Sequence, residues 1–363
     1  MDTPLISFRV DASLAMGSGH VMRCLTLANA LRARGAHCRF VTRRQAGDLA
    51  TRIAAQGHEV LALPAPVPCS ADATGPAHAD WLGAPWADDA AQTRTALAGQ
   101  TSDWLVIDHY AIDARWESAL RPAAHRVMVI DDLADRPHAA DLLLDQSQRD
   151  DAAGRYRALL PARCERRLGP SHGLLREAFD APLPRRRTGR IAQVFVYFGG
   201  NDRHNLAGQA VAALCQRPTR AADVVLGADH PHRDAVHAAA AGRAGLRLVD
   251  QCEDMAGAMA SADLALGVCG MAAWERCAMA LPSLVCINAD NQREDSLALH
   301  RLGAVHCLGD AADLGATDWA TAIDGALADP LRMATMADKA AALVAGHAEH
   351  RQALLNRLLT HVR

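Results

Sequence analysis

Short apolar runs of strand length alternate with longer stretches of helical period along most of the chain, and they do so in two successive sets. The first set lies at 6–10, 38–41, 60–63, 104–107, 127–130 and 142–144; the second lies at 194–198, 223–226, 247–249, 264–267, 284–287 and 305–308. Helical patterns such as 21–34 and 271–279 fall between the runs. Alternation of this kind calls for crossover connections, so the expectation is an α/β protein with parallel, doubly wound sheets. A chain of 363 residues is too long for one ordinary core and right for two Rossmann-like domains. The segment 181–190 holds two prolines, four arginines and a glycine without an apolar face, and is read as the linker. The expected domains are therefore 1–181 and 191–363, with the helical tail 331–363 able to pack back on the N-terminal one. A proline-rich stretch at 64–85, with Trp81 and Trp86 at its end, is read as a surface loop.

Charge and cysteine usage narrow the class. Lys plus Arg is 38 and Asp plus Glu is 41, a net −3 that argues against a nucleic-acid partner. The longest run without Asp, Glu, Lys or Arg is about 13 residues, at 277–289, too short to span a bilayer, so no membrane insertion is expected. No basic segment followed by a long apolar one opens the chain, and no secretory leader is expected. The 10 cysteines are scattered, with no C-x-x-C pair. Reduced thiols in a cytoplasm, with neither a metal site nor a cofactor, are the reading.

Chemistry-bearing residues gather where apolar runs end. The first run carries Arg9 and leads through Asp11 to Gly17, Gly19 and His20, with Arg23 one helical turn on. The two glycines allow a tight turn, and a helix starting near His20 offers free N–H groups to an anion. Three glycines at the dinucleotide spacing are absent, and so is the Gly-Lys-Ser/Thr of a phosphate-binding loop. His20 is either a capping histidine or a general base, since imidazole changes charge near neutral pH. Arg9 and Asp11 are either ligand contacts at a strand end or an ion pair. Asp108, His109 and Tyr110 end the fourth run, and Asp131 and Asp132 end the fifth. Adjacent side chains point apart, so one of each acidic or mixed pair is expected to face a ligand; Asp108 and Asp131 are the choices. In the second half Gly199 and Gly200 precede Asp202, Gly270 precedes a helix carrying Glu275, and Asn291 and Gln292 follow another run. These positions suit phosphates and ribose hydroxyls, or are ordinary caps and turns.

Taken in order, Arg9-x-Asp11, Gly17-x-Gly19-His20-x-x-Arg23, Ile107-Asp108-His109-Tyr110, Asp131-Asp132, the segment 168–177, Gly199-Gly200-x-Asp202, Glu275 and Asn291-Gln292 resemble the UDP-2,4-diacetamido-2,4,6-trideoxy-β-L-altropyranose hydrolases of pseudaminic acid biosynthesis (PseG). The likeness runs from Arg9 to about Gly303. It implies a glycosyltransferase-B type fold and hydrolysis of the C1–O bond of a UDP-sugar without metal. It further implies that His20 is the general base, that Tyr110 orients sugar or water, that Glu275 holds ribose, and that Gly270, Asn291 and Gln292 meet the diphosphate and sugar. Ser18 and the Cys269-Gly270-Met271 turn depart from the family pattern, as does the length of 64–85. The implied partner is a UDP-sugar; the protein is expected to be a monomer or weak dimer. Flagellin and surface polysaccharide are both open as the final acceptor. A UDP-sugar glycosyltransferase of related fold and an inactive nucleotide-sugar binding protein are the alternatives.

Overall fold

A computed structural model describes residues 3–67, 75–181, 187–200, 202–217, 221–227, 230–250 and 252–360. Among these, every strand pairing is parallel and the strands form two sheets. The first contains β1 (Leu5–Val10), β2 (His37–Arg43), β3 (Glu59–Leu63), β4 (Ser102–Asp108), β5 (Ala124–Ile130), β6 (Leu142–Asp145) and β7 (Glu165–Leu168), in the order β3-β2-β1-β4-β5-β6-β7. The second contains β8 (Gln193–Tyr197), β9 (Ala221–Leu226), β10 (Leu246–Asp250), β11 (Leu264–Val268), β12 (Ser283–Ile287) and β13 (His306–Asp310), in the order β10-β9-β8-β11-β12-β13. Both orders run outward from the first strand, then return to its other side. Loops leaving the carboxyl ends of β1 and β4, or of β8 and β11, therefore diverge and open a crevice at that switch point.

The strands are apolar on both faces because helices cover both. In the first sheet Ile6, Phe8, Val10, Trp104, Val106, Met128 and Ile130 pack on one side, against the helix Gly19–Arg32 and against Leu354, Leu355 and Leu358 of the helix His347–Leu359. Leu105, Ile107, Val127, Val129 and Leu143 pack on the other, against Trp116, Leu120 and Tyr156. This two-residue period inside continuous apolar runs is what a doubly covered parallel sheet requires.

Two compact units result, Met1–Leu174 with His347–Arg363, and Leu175–Gly346. The first break falls before the basic segment and not inside it. Residues 182–186 of that segment lie outside the described residues, but Arg187 is buried in the second unit. Its guanidinium donates to the carbonyls of Met259, Ala262 and Met279, which end the helices Met255–Ser261 and Met271–Ala278. A side chain read as linker charge thus satisfies orphan helix-end carbonyls. The strand β7 is the one the apolar pattern does not announce. It is an edge strand whose residues Glu165, Arg166, Arg167 and Leu168 are all half-buried, held by pairing to β6.

Candidate active site

Beyond β1 the chain turns through a narrow loop closed by the Gly17 N–H donating to the Ser13 carbonyl at 2.8 Å. Gly17 sits at φ +75°, where a side chain would be strained. The helix Gly19–Arg32 follows with no side-chain cap and no acidic residue in its first turn. His20 and Arg23 stand three residues apart, so both project from one face of that helix onto the end of β4. There they meet Asp108, the last residue of β4.

The Asp108 carboxylate organises the cluster. Its Oδ1 accepts from His20 Nδ1 at 2.6 Å and from Arg23 Nη2 at 2.7 Å; its Oδ2 accepts from Arg23 Nε at 2.6 Å. Burial by itself would raise the carboxyl, but the guanidinium of Arg23 and then the imidazole of His20 outweigh it and hold Asp108 well below the usual carboxylate range. An ionised carboxylate only accepts, so the ring proton of neutral His20 belongs on Nδ1 and the lone pair on Nε2. Nε2 has no hydrogen-bond partner among the described residues. Arg23 reaches past His20 to Asp132 Oδ2 at 2.9 Å, and the Tyr110 hydroxyl donates to Asp132 Oδ1 at 2.6 Å. The Tyr110 ring meets His20 edge-on, 4.6 Å between centroids. A base with a free nitrogen, an orienting carboxylate, and a tyrosine held beside it can move a proton from water.

Both choices within the pairs need correction as ligand contacts. Asp108 is wholly buried and faces His20 and Arg23 instead, while its neighbour His109 turns the other way, its Nε2 3.2 Å from Asp11 Oδ2. At the end of β5 it is Asp132, not Asp131, that joins the cluster. Asp131 lies wholly buried on the opposite side, against Arg136 at 2.8 Å, the Ala134 N–H at 2.9 Å and the Tyr156 hydroxyl at 3.0 Å. Its role is to anchor the turn that presents Asp132. Beneath it His138 Nδ1 donates to Glu117 at 2.7 Å. Burial would lower His138, but the Asp131 carboxylate 3.8 Å from its Nε2 and its hydrogen bond to Glu117 prevail, and it is pushed up to about 9. Raised pKa in the folded state means stability present below pH ~6.5 and lost as pH rises through the folded value. Urea midpoints should fall between pH 7 and pH 10 in the parent (about 9 being the folded-state value), and the fall should flatten in His138→Gln. An equally steep fall in that variant would assign the loss to another group.

Arg9 and Asp11 also need correction as ligand contacts. Both are fully buried and belong to a closed ion network. Arg9 donates to Asp11 at 2.7 Å and to both oxygens of Asp89, which in turn accepts from Arg43 at 2.6 Å and from Trp116 Nε1 at 2.9 Å. Asp11 Oδ1 also takes the backbone N–H of Arg43 at 2.7 Å, tying β1 to β2. The network fixes the floor of the site rather than its surface. Asp89→Ala would leave two buried guanidinium groups short of charge and should cost about 3–5 kcal/mol in chemical denaturation. A loss under about 1 kcal/mol would show that the pairs are replaceable.

In the second unit the candidates separate. Gly199 and Gly200 follow β8, but the next helix, Leu206–Cys215, has its first N–H groups filled. Asp202 accepts from Leu206 N and Ala207 N, each at 2.8 Å, so an intrinsic carboxylate occupies the place of a bound phosphate. The helix start beyond Gly199 and Gly200 is thereby closed to a phosphate by Asp202. Gly270 is different: it precedes the helix Met271–Ala278, which has no side-chain cap and no acid in its first turn. A Cβ on Gly270 would sit 3.6 Å from Gln292 Nε2, so these two residues come together. Asn291 is exposed in the first turn of the helix Asp290–Leu302. Glu275 Oε1 accepts from Arg176 Nη2 at 2.9 Å and Nε at 3.3 Å, an ion pair the sequence did not announce. Burial pushes the Glu275 carboxyl up, with Arg176 pulling part of it back. Arg176 thus engages one Glu275 oxygen, Oε1. The helix start after Gly270 is thus left without a side-chain cap, with Gln292 beside it.

No family model matches the chain. Over 111 residues it is 32% identical to the UDP-2,4-diacetamido-2,4,6-trideoxy-beta-L-altropyranose hydrolase of Campylobacter jejuni. Over 145 residues it is 28% identical to the spore coat polysaccharide biosynthesis protein SpsG of Bacillus subtilis. These matches take in 30% and 39% of this chain, and the chain spans 39% and 43% of those relatives' lengths. Among solved structures, MurG of Acinetobacter baumannii superposes with a TM-score of 0.67 at 15% identity, covering 98% of this chain and 99% of that one. LpCGTa in complex with UDP gives 0.64 at 14% identity, covering 98% and 99%. CalG4, the calicheamicin glycosyltransferase, gives 0.63 at 15%, covering the whole of both. The fold is GT-B. By sequence the chain is related to sugar-nucleotide-processing enzymes. Among the described residues no helix is long and apolar enough to cross a membrane.

Proposed function

We propose that the protein hydrolyses a UDP-sugar at C1, with UDP-2,4-diacetamido-2,4,6-trideoxy-β-L-altropyranose as the substrate, releasing UDP and the free sugar in pseudaminic acid formation. The observation that carries this reading is the His20–Asp108 pair with Nε2 left open beside Tyr110. In the proposed step, water loses a proton to His20 Nε2 as its oxygen bonds to C1. The C1–O bond breaks and its electron pair leaves on the β-phosphate of UDP. Asp108 stabilises the imidazolium as it forms, and Tyr110, steered by Asp132, orients water or sugar. UDP is proposed to rest on the second unit, its diphosphate at the uncapped helix after Gly270 with Asn291 and Gln292, its ribose on Glu275. Neutralising UDP in this way makes it a good leaving group, so a base is what the reaction still needs. The match to the C. jejuni hydrolase supports the sugar; the free thiols of the described cysteines suit a cytoplasmic setting. A monomer or weak dimer is proposed.

The test is UDP release from purified protein and the UDP-sugar, without acceptor or added metal. Release under these conditions carries the reading. The second reading, a glycosyltransferase, is favoured by the enzymes that share the fold, and release that depends on an added acceptor would establish it. Within the UDP site, Glu275→Ala should weaken UDP binding by about tenfold, the loss of one hydrogen bond to a charged group. Unchanged affinity by calorimetry would remove Glu275 from the site.

A further inference from the structure

Aromatic residues are only 4% of this chain, and nearly all the large ones are spent in the cores: Trp104, Trp116, Trp319, Tyr156, Phe8, Phe40, Phe179 and Phe195 are each under 2% exposed. Trp81 is an exception. It sits in the short 3-10 turn Ala79–Leu82, part of the proline-rich stretch that the proposed reaction leaves unused, and it is half-buried. The turn is fastened from behind. Leu82 is buried in the first unit's core, Gly83 reverses the chain at φ +69°, and the Val67 N–H donates to the Gly83 carbonyl at 2.9 Å. Trp86, a few residues on, is turned to other work, under the guanidinium of Arg115 at 5.3 Å.

Fastened so, the turn carries two rings to the proposed base. His78 lies 4.4 Å from Trp81 and 5.5 Å from Tyr110; Trp81 lies 6.0 Å from Tyr110. The three planes are within 30–35° of one another, whereas His20 stands at 88° to Tyr110. His78 and Trp81 therefore form the half-buried outer part of one aromatic wall over the buried Tyr110 ring, with the His20 imidazole at its edge. A core has no need of such a wall at a polar strand end. Its chemistry suits a ligand that is apolar on one face and polar around its rim. A pyranose is such a ligand: its C–H bonds carry slight positive charge and face an aromatic π-cloud favourably. Deoxygenation and N-acetylation add methyl groups and increase that apolar surface.

Resting on the hydrolase reading for the position of C1, we infer that the turn Ala79–Leu82 is a specificity element, in which Trp81, backed by His78, stacks on the apolar face of the sugar. The selection is for deoxy and N-acylated sugars over fully hydroxylated ones, and UDP itself takes no part in it.

The test compares binding of UDP with binding of the UDP-diacetamido sugar by calorimetry. The difference between the two affinities is the sugar's own contribution. Measurements in a His20→Asn background keep the substrate intact, and UDP release is assayed in parallel on the parent. Trp81→Ala should reduce the sugar's contribution about tenfold, the scale of one lost aromatic face, while UDP affinity stays unchanged. Trp81→Phe should retain most of it. If the parent releases UDP but Trp81→Ala keeps the sugar's contribution, the stacking proposal falls and the hydrolase reading stands. If the parent releases no UDP, yet the sugar adds affinity that Trp81→Ala removes, the stacking stands and the hydrolase reading falls. A UDP-sugar that binds the His20→Asn protein with Trp81 intact no better than UDP overturns the stacking outright.

Discussion

Replacing His20 by Asn should lower turnover of the UDP-sugar by about 10²–10⁴-fold, the share a positioned general base supplies, with UDP affinity unchanged. Asn keeps a polar amide near Asp108 and Arg23, so the buried carboxylate retains two guanidinium bonds and the local structure has reason to persist. What it lacks is a nitrogen able to take a proton on the side where His20 Nε2 is open. UDP is proposed to sit on the second unit, which holds Gly270 and Glu275, and His20 belongs to the first. A kcat loss with intact UDP binding is therefore the signature of a base, whereas a combined loss would indicate damage to folding. Turnover at the parent level in His20→Asn would sink the assignment.

Asp108→Asn should remove about 10³-fold or more of kcat and also destabilise the fold. The two losses have separate causes. An amide presents N–H where the carboxylate accepted, so the His20 ring is invited to receive at Nδ1 and to carry its proton on Nε2. That tautomer cannot take a proton from water. At the same time Arg23, buried to within 5% of full enclosure, is left with Asp132 alone. A buried guanidinium short of its partner costs about 3 kcal/mol or more. Kinetics run well below the variant's unfolding midpoint separate the two. If kcat stays within about threefold of the parent while stability falls, Asp108 only holds Arg23 and the tautomer argument is wrong.

The contrast between Asp108 and Asp131 shows where pattern reading stops. Strand ends are legible because apolar runs end there, and the rule that neighbours point apart is a property of the extended backbone. Which neighbour points to the helix Gly19–Arg32 depends on the handedness of exit from each strand and on what is packed opposite. At the end of β4 the first of the pair faces His20; at the end of β5 the second joins the cluster, through Arg23 and Tyr110. The same limit applied to Arg9 and Asp11: their spacing on β1 is the same whether they meet a ligand or, as here, Asp89 from 80 residues further on. Asp202 and Gly199–Gly200 show it again, since a carboxylate two residues beyond a glycine pair looks alike in sequence whether it flanks an anion site or fills the helix start itself.

The parallel, doubly wound character of the sheets, the division into two Rossmann-like units and the stations of His20, Asp108, Tyr110 and Gly270 at strand ends follow from local periodicity, because burying both faces of a parallel sheet forces a visible pattern of apolar runs and turns. The edge strand β7 escaped because pairing on one side holds it without an apolar run. Tertiary structure alone decided that Arg23 and Asp132 complete the cluster, that Arg176 takes one oxygen of Glu275, and that Arg187 and the tail His347–Leu359 belong to opposite units. Each of these is a contact between residues remote in sequence, or a choice between two faces. Such choices are settled by the partner that relieves a buried charge or an unpaired carbonyl, and nothing local to the residue records who that partner is.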